Sequence, residues 1–92
     1  MKKIYKYQIP FEDVFTMFLP IGAKILMVGD QNDKAYLWAL VNPNNDTEDR
    51  YFRLAGTGHP IEHKDENLKY INSFMQLGGR LVWHLFEIIE TK

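Results

Sequence analysis

The sequence predicts an all-β fold: one small antiparallel β-barrel or sandwich of about seven strands, with little or no helix. Three observations lead there. Turn-forming residues punctuate the chain roughly every eight to twelve residues, the spacing of a small all-β domain. The segments between them are rich in β-branched and aromatic residues, and some alternate apolar with polar. Finally, Gly29-Asp30-Gln31-Asn32-Asp33 and Gly78-Gly79 carry hairpin chemistry, because Gly, Asn and Asp tolerate positive φ.

Each element has its own justification. Lys2 to Ile9 alternates, with Tyr5, Tyr7 and Ile9 to one side and Lys6 and Gln8 to the other, until Pro10 ends it. Asp13 to Leu19 is a second β-prone run, closed by Pro20. Ile21-Gly22 is a turn, and Ala23 to Val28 is a nearly continuous apolar run. After the first hairpin cluster, Ala35 to Val41 is apolar on both faces and reads as a central strand. Asn42 to Asp49 is polar and turn-prone and reads as an exposed loop. Tyr51 to Ala55 is a short strand that stops at Gly56, and Glu62 to Asn67 is a solvated stretch with room for one helical turn. Leu68 to Leu77 and Arg80 to Ile89 flank Gly78-Gly79 as the arms of a hairpin. Helical spacing of Leu81, Leu85, Ile88 and Ile89 competes in the last arm. Val82, Trp83 and Phe86 directly after a Gly-Gly turn decide for a strand.

Size and composition set the outer bounds. Residues 1–92 make one domain, without internal repeat or low-complexity tract. A 46% hydrophobic and 25% charged composition suits a packed core and excludes intrinsic disorder. Eleven Lys and Arg against 12 Asp and Glu leave no basic excess, so a nucleic-acid partner is not expected. The chain has no cysteine, hence no disulfide and no thiolate metal site, and must rely on its core or on oligomerisation. Met1-Lys2-Lys3 is not followed by an apolar export segment, and no run approaches a membrane span; a cytoplasmic protein is expected, with no membrane partner.

The chemistry-bearing feature is Leu54-Ala55-Gly56-Thr57-Gly58-His59-Pro60-Ile61. Glycines free the backbone to turn N–H groups toward an anion, and Pro60 restricts His59 to extended geometry. Gly56, Thr57, Gly58 and His59 are therefore candidate ligand-binding residues, although a plain turn needs much the same types. The stretch lacks the longer glycine pattern and the lysine of a phosphate loop. His84, among bulky apolar neighbours, suits a hydrogen-bonded core or interface group, or a ligand contact if its face lines a cleft. His59 and His63 are spaced like helix-borne metal ligands, but Pro60 lies between them and no third ligand is evident; no metal or other cofactor is expected. Ser73 and Thr57 lack nucleophile-elbow context, so no catalytic residue is assigned. Aromatics make up 14% of the chain, more than so small a domain can bury, so some rings should face a partner or stack on a base; Trp83 is the ring placed in the candidate site with His84.

The order of motifs resembles a family of small, mostly uncharacterised proteins of tailed phages and prophages, classed as a domain of unknown function. The resemblance runs through Ile4-Tyr5-Lys6-Tyr7, Gly22 to Leu26 with Gln31, Leu37 to Val41, Arg50 to Arg53, Gly56 to Ile61 and Gly79 to Glu87. It covers nearly the whole chain and brings no catalytic residues. It implies a phage accessory protein working in the host bacterial cytoplasm. The expected function is non-enzymatic: an oligomer that binds and sequesters a nucleotide-derived immune signal. The competing expectation is an inhibitor that grips a host defence protein.

Overall fold

The computed structural model describes residues 1–89. They form seven strands in two antiparallel sheets that face each other without closing, a sandwich rather than a barrel. The strands are β1 Lys3–Ile9, β2 Val14–Pro20, β3 Lys24–Gln31, β4 Lys34–Val41, β5 Thr47–Gly56, β6 Leu68–Gln76 and β7 Leu81–Ile88. One sheet has the order β1-β4-β3 and the other β2-β5-β7-β6. Helical content among the described residues is two short 3-10 turns, Asp65–Asn67 and Leu77–Gly79. The slab measures 39 × 36 × 16 Å across its Cα atoms, the thinness expected of two sheets stacked about 10 Å apart.

Period-two patterning explains which side chains meet in the middle. On β4, Ala35, Leu37, Ala39 and Val41 are buried while Tyr36, Trp38 and Leu40 lie on the outer face. β4 is central in its sheet, as its two-sided apolar character predicts. From the other sheet, Phe52 and Leu54 of β5, Phe74 of β6 and Leu85 of β7 complete the core, with Phe15 stacked on Phe52 at 5.4 Å. Gln76 adds a polar tie between the layers, accepting from Trp83 Nε1 at 2.9 Å and donating to Asp30 on β3 at 2.8 Å.

Three local expectations need correction. The predicted loop from Asn42 to Asp49 ends early, because Thr47, Glu48 and Asp49 pair with Pro20, Leu19 and Phe18 as the start of β5. That stretch is polar because only β2 flanks it and water covers its other edge; β7 joins β5 only from Tyr51 onward. Gly29 and Asp30 belong to β3, and the turn itself is Asn32-Asp33, both at positive φ (53° and 65°) as a tight hairpin requires. The last hairpin turns through Leu77 to Arg80 rather than through two glycines alone, with Leu77, Gly78 and Gly79 all at positive φ. Pro20 closes β2 as an edge-strand residue, where its missing N–H costs no ladder bond. Among the described residues no helix is long and apolar enough to cross a membrane.

Candidate functional site

The glycine corner folds inward on itself. His59 N–H donates to Gly56 O at 3.0 Å, Thr57 N–H to Val82 O at 3.0 Å, and Gly56 N–H to His59 Nδ1 at 3.3 Å. Three backbone donors of the expected anion cradle are therefore committed within the protein. The His59 ring lies over Gly56: a Cβ there would sit 2.9 Å from the imidazole unless that exposed ring turned aside. Gly58 is required by its backbone, at φ +89°. The same ring meets Trp83 edge-on at 6.3 Å, and Phe11 approaches Trp83 from 5.3 Å. Gly56, His59 and Trp83 thus form one packed group at the end of the four-stranded sheet.

The role of that group is testable. Gly56→Ala is expected to cost about 1 kcal/mol, the low end of the overpacking range, because the only atoms struck belong to the exposed His59 ring. His59→Ala in the same chain should recover part of the loss, because it removes the ring that the new methyl strikes. Chemical denaturation of the two single variants and the double variant checks this; additive losses would mean that the clash is relieved elsewhere.

Thr57 and His84 come together on the opposite, outer face. Alternation along β7 sends Trp83 and Leu85 toward the core, and His84 and Phe86 away from it. His84 lies between Ala55 of β5 and Ser73 of β6. Its Nε2 is 2.8 Å from Thr57 Oγ1 and its Nδ1 is 2.7 Å from Ser73 Oγ, which in turn is 2.7 Å from the Tyr70 hydroxyl. Thr57 Oγ1 also reaches Val82 O at 3.4 Å, where it can only donate. In each of the Tyr70–Ser73, Ser73–His84 and His84–Thr57 contacts either group can donate, and the tautomer of the ring sets the direction.

A segment running from Thr57 to Asp65 lies across this face. Its anchor is Arg53, a guanidinium only 3% exposed that donates to Pro60 O at 2.8 Å, to Asp13 O at 3.2 Å and to Leu54 O. Where the segment meets the sheet, Ile61, His63, Asp65, Leu68, Tyr70 and Phe86 line a cleft of about 330 Å³. Tyr70 and Phe86 form one wall, edge to face at 5.6 Å. The two histidines of the His-x-x-x-His spacing thus have different surroundings, His59 against Trp83 and His63 in this cleft. No cluster of three or more metal-ligating side chains occurs among the described residues.

A second cleft, about 290 Å³, opens between the sheets and is lined by Lys24, Arg50, Lys69 and Glu87 together with Ala23 and Ile71. Arg50 grips both oxygens of Glu87, at 2.6 and 2.7 Å, and donates to Ala23 O. The hydrogen bond to Glu87 holds the Arg50 pKa above its ordinary value, against the opposing pull of burial. Lys24 and Lys69 line the same cleft, so it carries cationic chemistry that the Arg50–Glu87 pair does not consume.

Sequence reasoning missed Ser73 and Tyr70 as partners of His84 and Arg53 as the anchor. The hairpin carried a signal for the first: pairing centred on Gly78-Gly79 sets Ser73 opposite His84.

Fold and surface together define a small two-sheet β-sandwich whose outer face carries an ordered hydroxyl–imidazole row beside an aromatic-walled cleft. The chain belongs to the family described as a domain of unknown function (DUF7352), whose model matches residues 1–92. No curated protein and no solved structure matches it.

Proposed function

We propose that this protein is a phage-encoded accessory protein of the host bacterial cytoplasm that binds and sequesters a nucleotide-derived immune signal without catalysis. The observation that carries the reading is the Tyr70–Ser73–His84–Thr57 row. A preordered line of hydroxyls and an imidazole suits sugar hydroxyls and phosphate oxygens, and the aromatic-walled cleft beside it suits a flat ring. Binding fits better than turnover. Ser73 does touch an imidazole, but the other ring nitrogen meets the Thr57 hydroxyl, not a carboxylate that would stabilise an imidazolium. The phage setting and the counter-defence role rest on the resemblance of the motifs, and the oligomer on the small size of the core.

Titration calorimetry against cyclic di- and oligonucleotides and ADP-ribose-type compounds tests the reading. At least one compound is expected to bind, and Ser73→Ala and Thr57→Val should each weaken it by about tenfold, roughly the worth of one hydrogen bond. No heat with any compound sinks the proposal. Edge strand β2 favours a second reading, a protein-binding inhibitor of a host nuclease or effector, because it exposes Val14 and Phe18 (49% and 66%) beside an unpaired backbone edge. A stoichiometric host protein recovered with the purified chain, together with silent calorimetry, would favour that alternative.

A further inference from the structure

The charge balance of the whole chain hides an uneven distribution over its surfaces. On the outer face of the three-stranded sheet, Lys6 of β1 stands opposite Trp38, Lys34 begins β4, and Lys24 of β3 stands opposite Leu40. None of the outward positions on these strands is Asp or Glu. Asp30 of β3 points the other way, accepting from Gln76 between the layers, and Asp33 belongs to the β3–β4 turn. The face thus carries cations alone, in a chain whose formal net charge is -1.

The same face carries rings that the core does not take. Tyr36 and Trp38 are half-buried there with centroids 6.2 Å apart, and Met27 opposite Trp38 is 50% exposed. Lys6 Nζ lies 4.3 Å from the Tyr36 ring centroid and 6.0 Å from that of Trp38, and it donates to Gln31 Oε1 at 2.7 Å. A neutral amide and two rings hold the ammonium in place without cancelling its charge. Gly29, opposite Tyr36, adds no side chain to the face. Rings set among lysines, free of carboxylates, suit bases that stack and phosphates that pair. Spacing selects the length of the partner. Lys34 and Lys24 stand about 20 Å apart along the sheet, at roughly 3.3 Å per residue of strand. A single nucleotide is too short to reach both. An extended strand with unpaired bases reaches both and offers rings to stack.

We infer that the outer face of the three-stranded sheet is a docking surface for single-stranded nucleic acid. Trp38 stacks a base, while Lys6, Lys24 and Lys34 meet the backbone phosphates. The inference goes beyond nucleotide sequestration and is independent of it, since Trp38 and the hydroxyl row lie on different sheets. A balanced composition does not oppose it, because a phosphate senses the charges of the face that it meets.

The test titrates the intact chain into fluorescently labelled single strands of DNA and RNA, each about twelve nucleotides long, at low and physiological salt. At least one is expected to bind, more tightly than duplex of the same length and less tightly as salt rises. Trp38→Leu keeps an apolar side chain on the face and should weaken binding about tenfold, the worth of one stacked base. Lys34→Gln should weaken all sequences alike and reduce the salt slope by about 0.7, as the loss of one phosphate contact requires. Thermal melts of both variants check that the fold persists, and the exposed Lys34 keeps the test decisive even where Trp38→Leu does not fold. Neither variant should change the calorimetric binding of small nucleotides, so the failure of one surface is told from the failure of the other. No binding of either single strand at low salt overturns the proposal, as does binding that the variants leave unchanged. Duplex held as tightly as single strands would overturn the stacking role of Trp38 and the single-strand assignment with it. A host protein captured by the parent and lost with Trp38→Leu, while the oligonucleotides stay silent, would give the face to a protein partner instead.

Discussion

Phe52→Ala is expected to destabilise the protein by about 3–5 kcal/mol, the usual range for emptying a buried aromatic site. Phe52 is 0% exposed, sits on β5 within the four-stranded sheet, and stacks on Phe15. Removing the ring leaves a void between two sheets held apart by Leu37 and Leu54, and it strips one face of Phe15. At roughly 4–8 °C per kcal/mol for a domain of this size, the melting temperature should fall by about 12–40 °C. Natural domains hold only about 5–15 kcal/mol in reserve, so the variant approaches the limit of folding. Phe52→Leu fills most of the space and should lose considerably less. Paired thermal and urea melts check the prediction; a loss below about 1.5 kcal/mol for the alanine variant would show that the sheets close over the void.

The next residue carries the second large effect, on the other side of the same sheet. Arg53→Leu should cost on the order of 3 kcal/mol, because it removes the guanidinium from the Leu54 and Pro60 carbonyls and leaves the Asp13 carbonyl only its bond from the Leu54 N–H. Asp13 lies 3.8 Å from the guanidinium but is 87% exposed at its side chain, so charge pairing contributes little and the carbonyl bonds dominate. The loss has a local signature as well. With the Pro60 bond gone, the Thr57-to-Asp65 segment should lift from the sheet, and trypsin should cut after the exposed Lys64 faster than in the parent. Arg53→Lys should fall between the two, since a single ammonium cannot span three carbonyls. A global loss of stability with unchanged cleavage at Lys64 would mean that the segment is held by Ile61 and its neighbours.

These two residues show why the fold was easier to read than the site. Alternation on β4 and β7 and the turn chemistry near Asn32 and Gly78 depend on neighbours in sequence, so the strands and the all-β class were legible; the choice of sandwich over barrel depends on how distant strands pair and was not. Even the Ser73–His84 juxtaposition follows from a hairpin centred on Gly78-Gly79. Tyr70 does not follow. The pairing shifts between Tyr70 and Asn72, and this bulge turns Tyr70 onto the face of Ser73 and His84, where strict alternation would send it toward the side of Phe74. Arg53 was equally hidden, because its partners lie 40 residues upstream at Asp13 and 7 downstream at Pro60. In the glycine corner Gly58 takes the positive φ that its type allows, whereas Gly56 makes room for the protein's own His59 imidazole and commits its amide to it.

Tyr70 belongs to two surfaces at once: its ring walls the aromatic cleft, and its hydroxyl ends the row that runs through Ser73 and His84 to Thr57. The bulge that turns it there therefore ties the cleft to the polar row through a single side chain. Whatever moves that ring is felt on both.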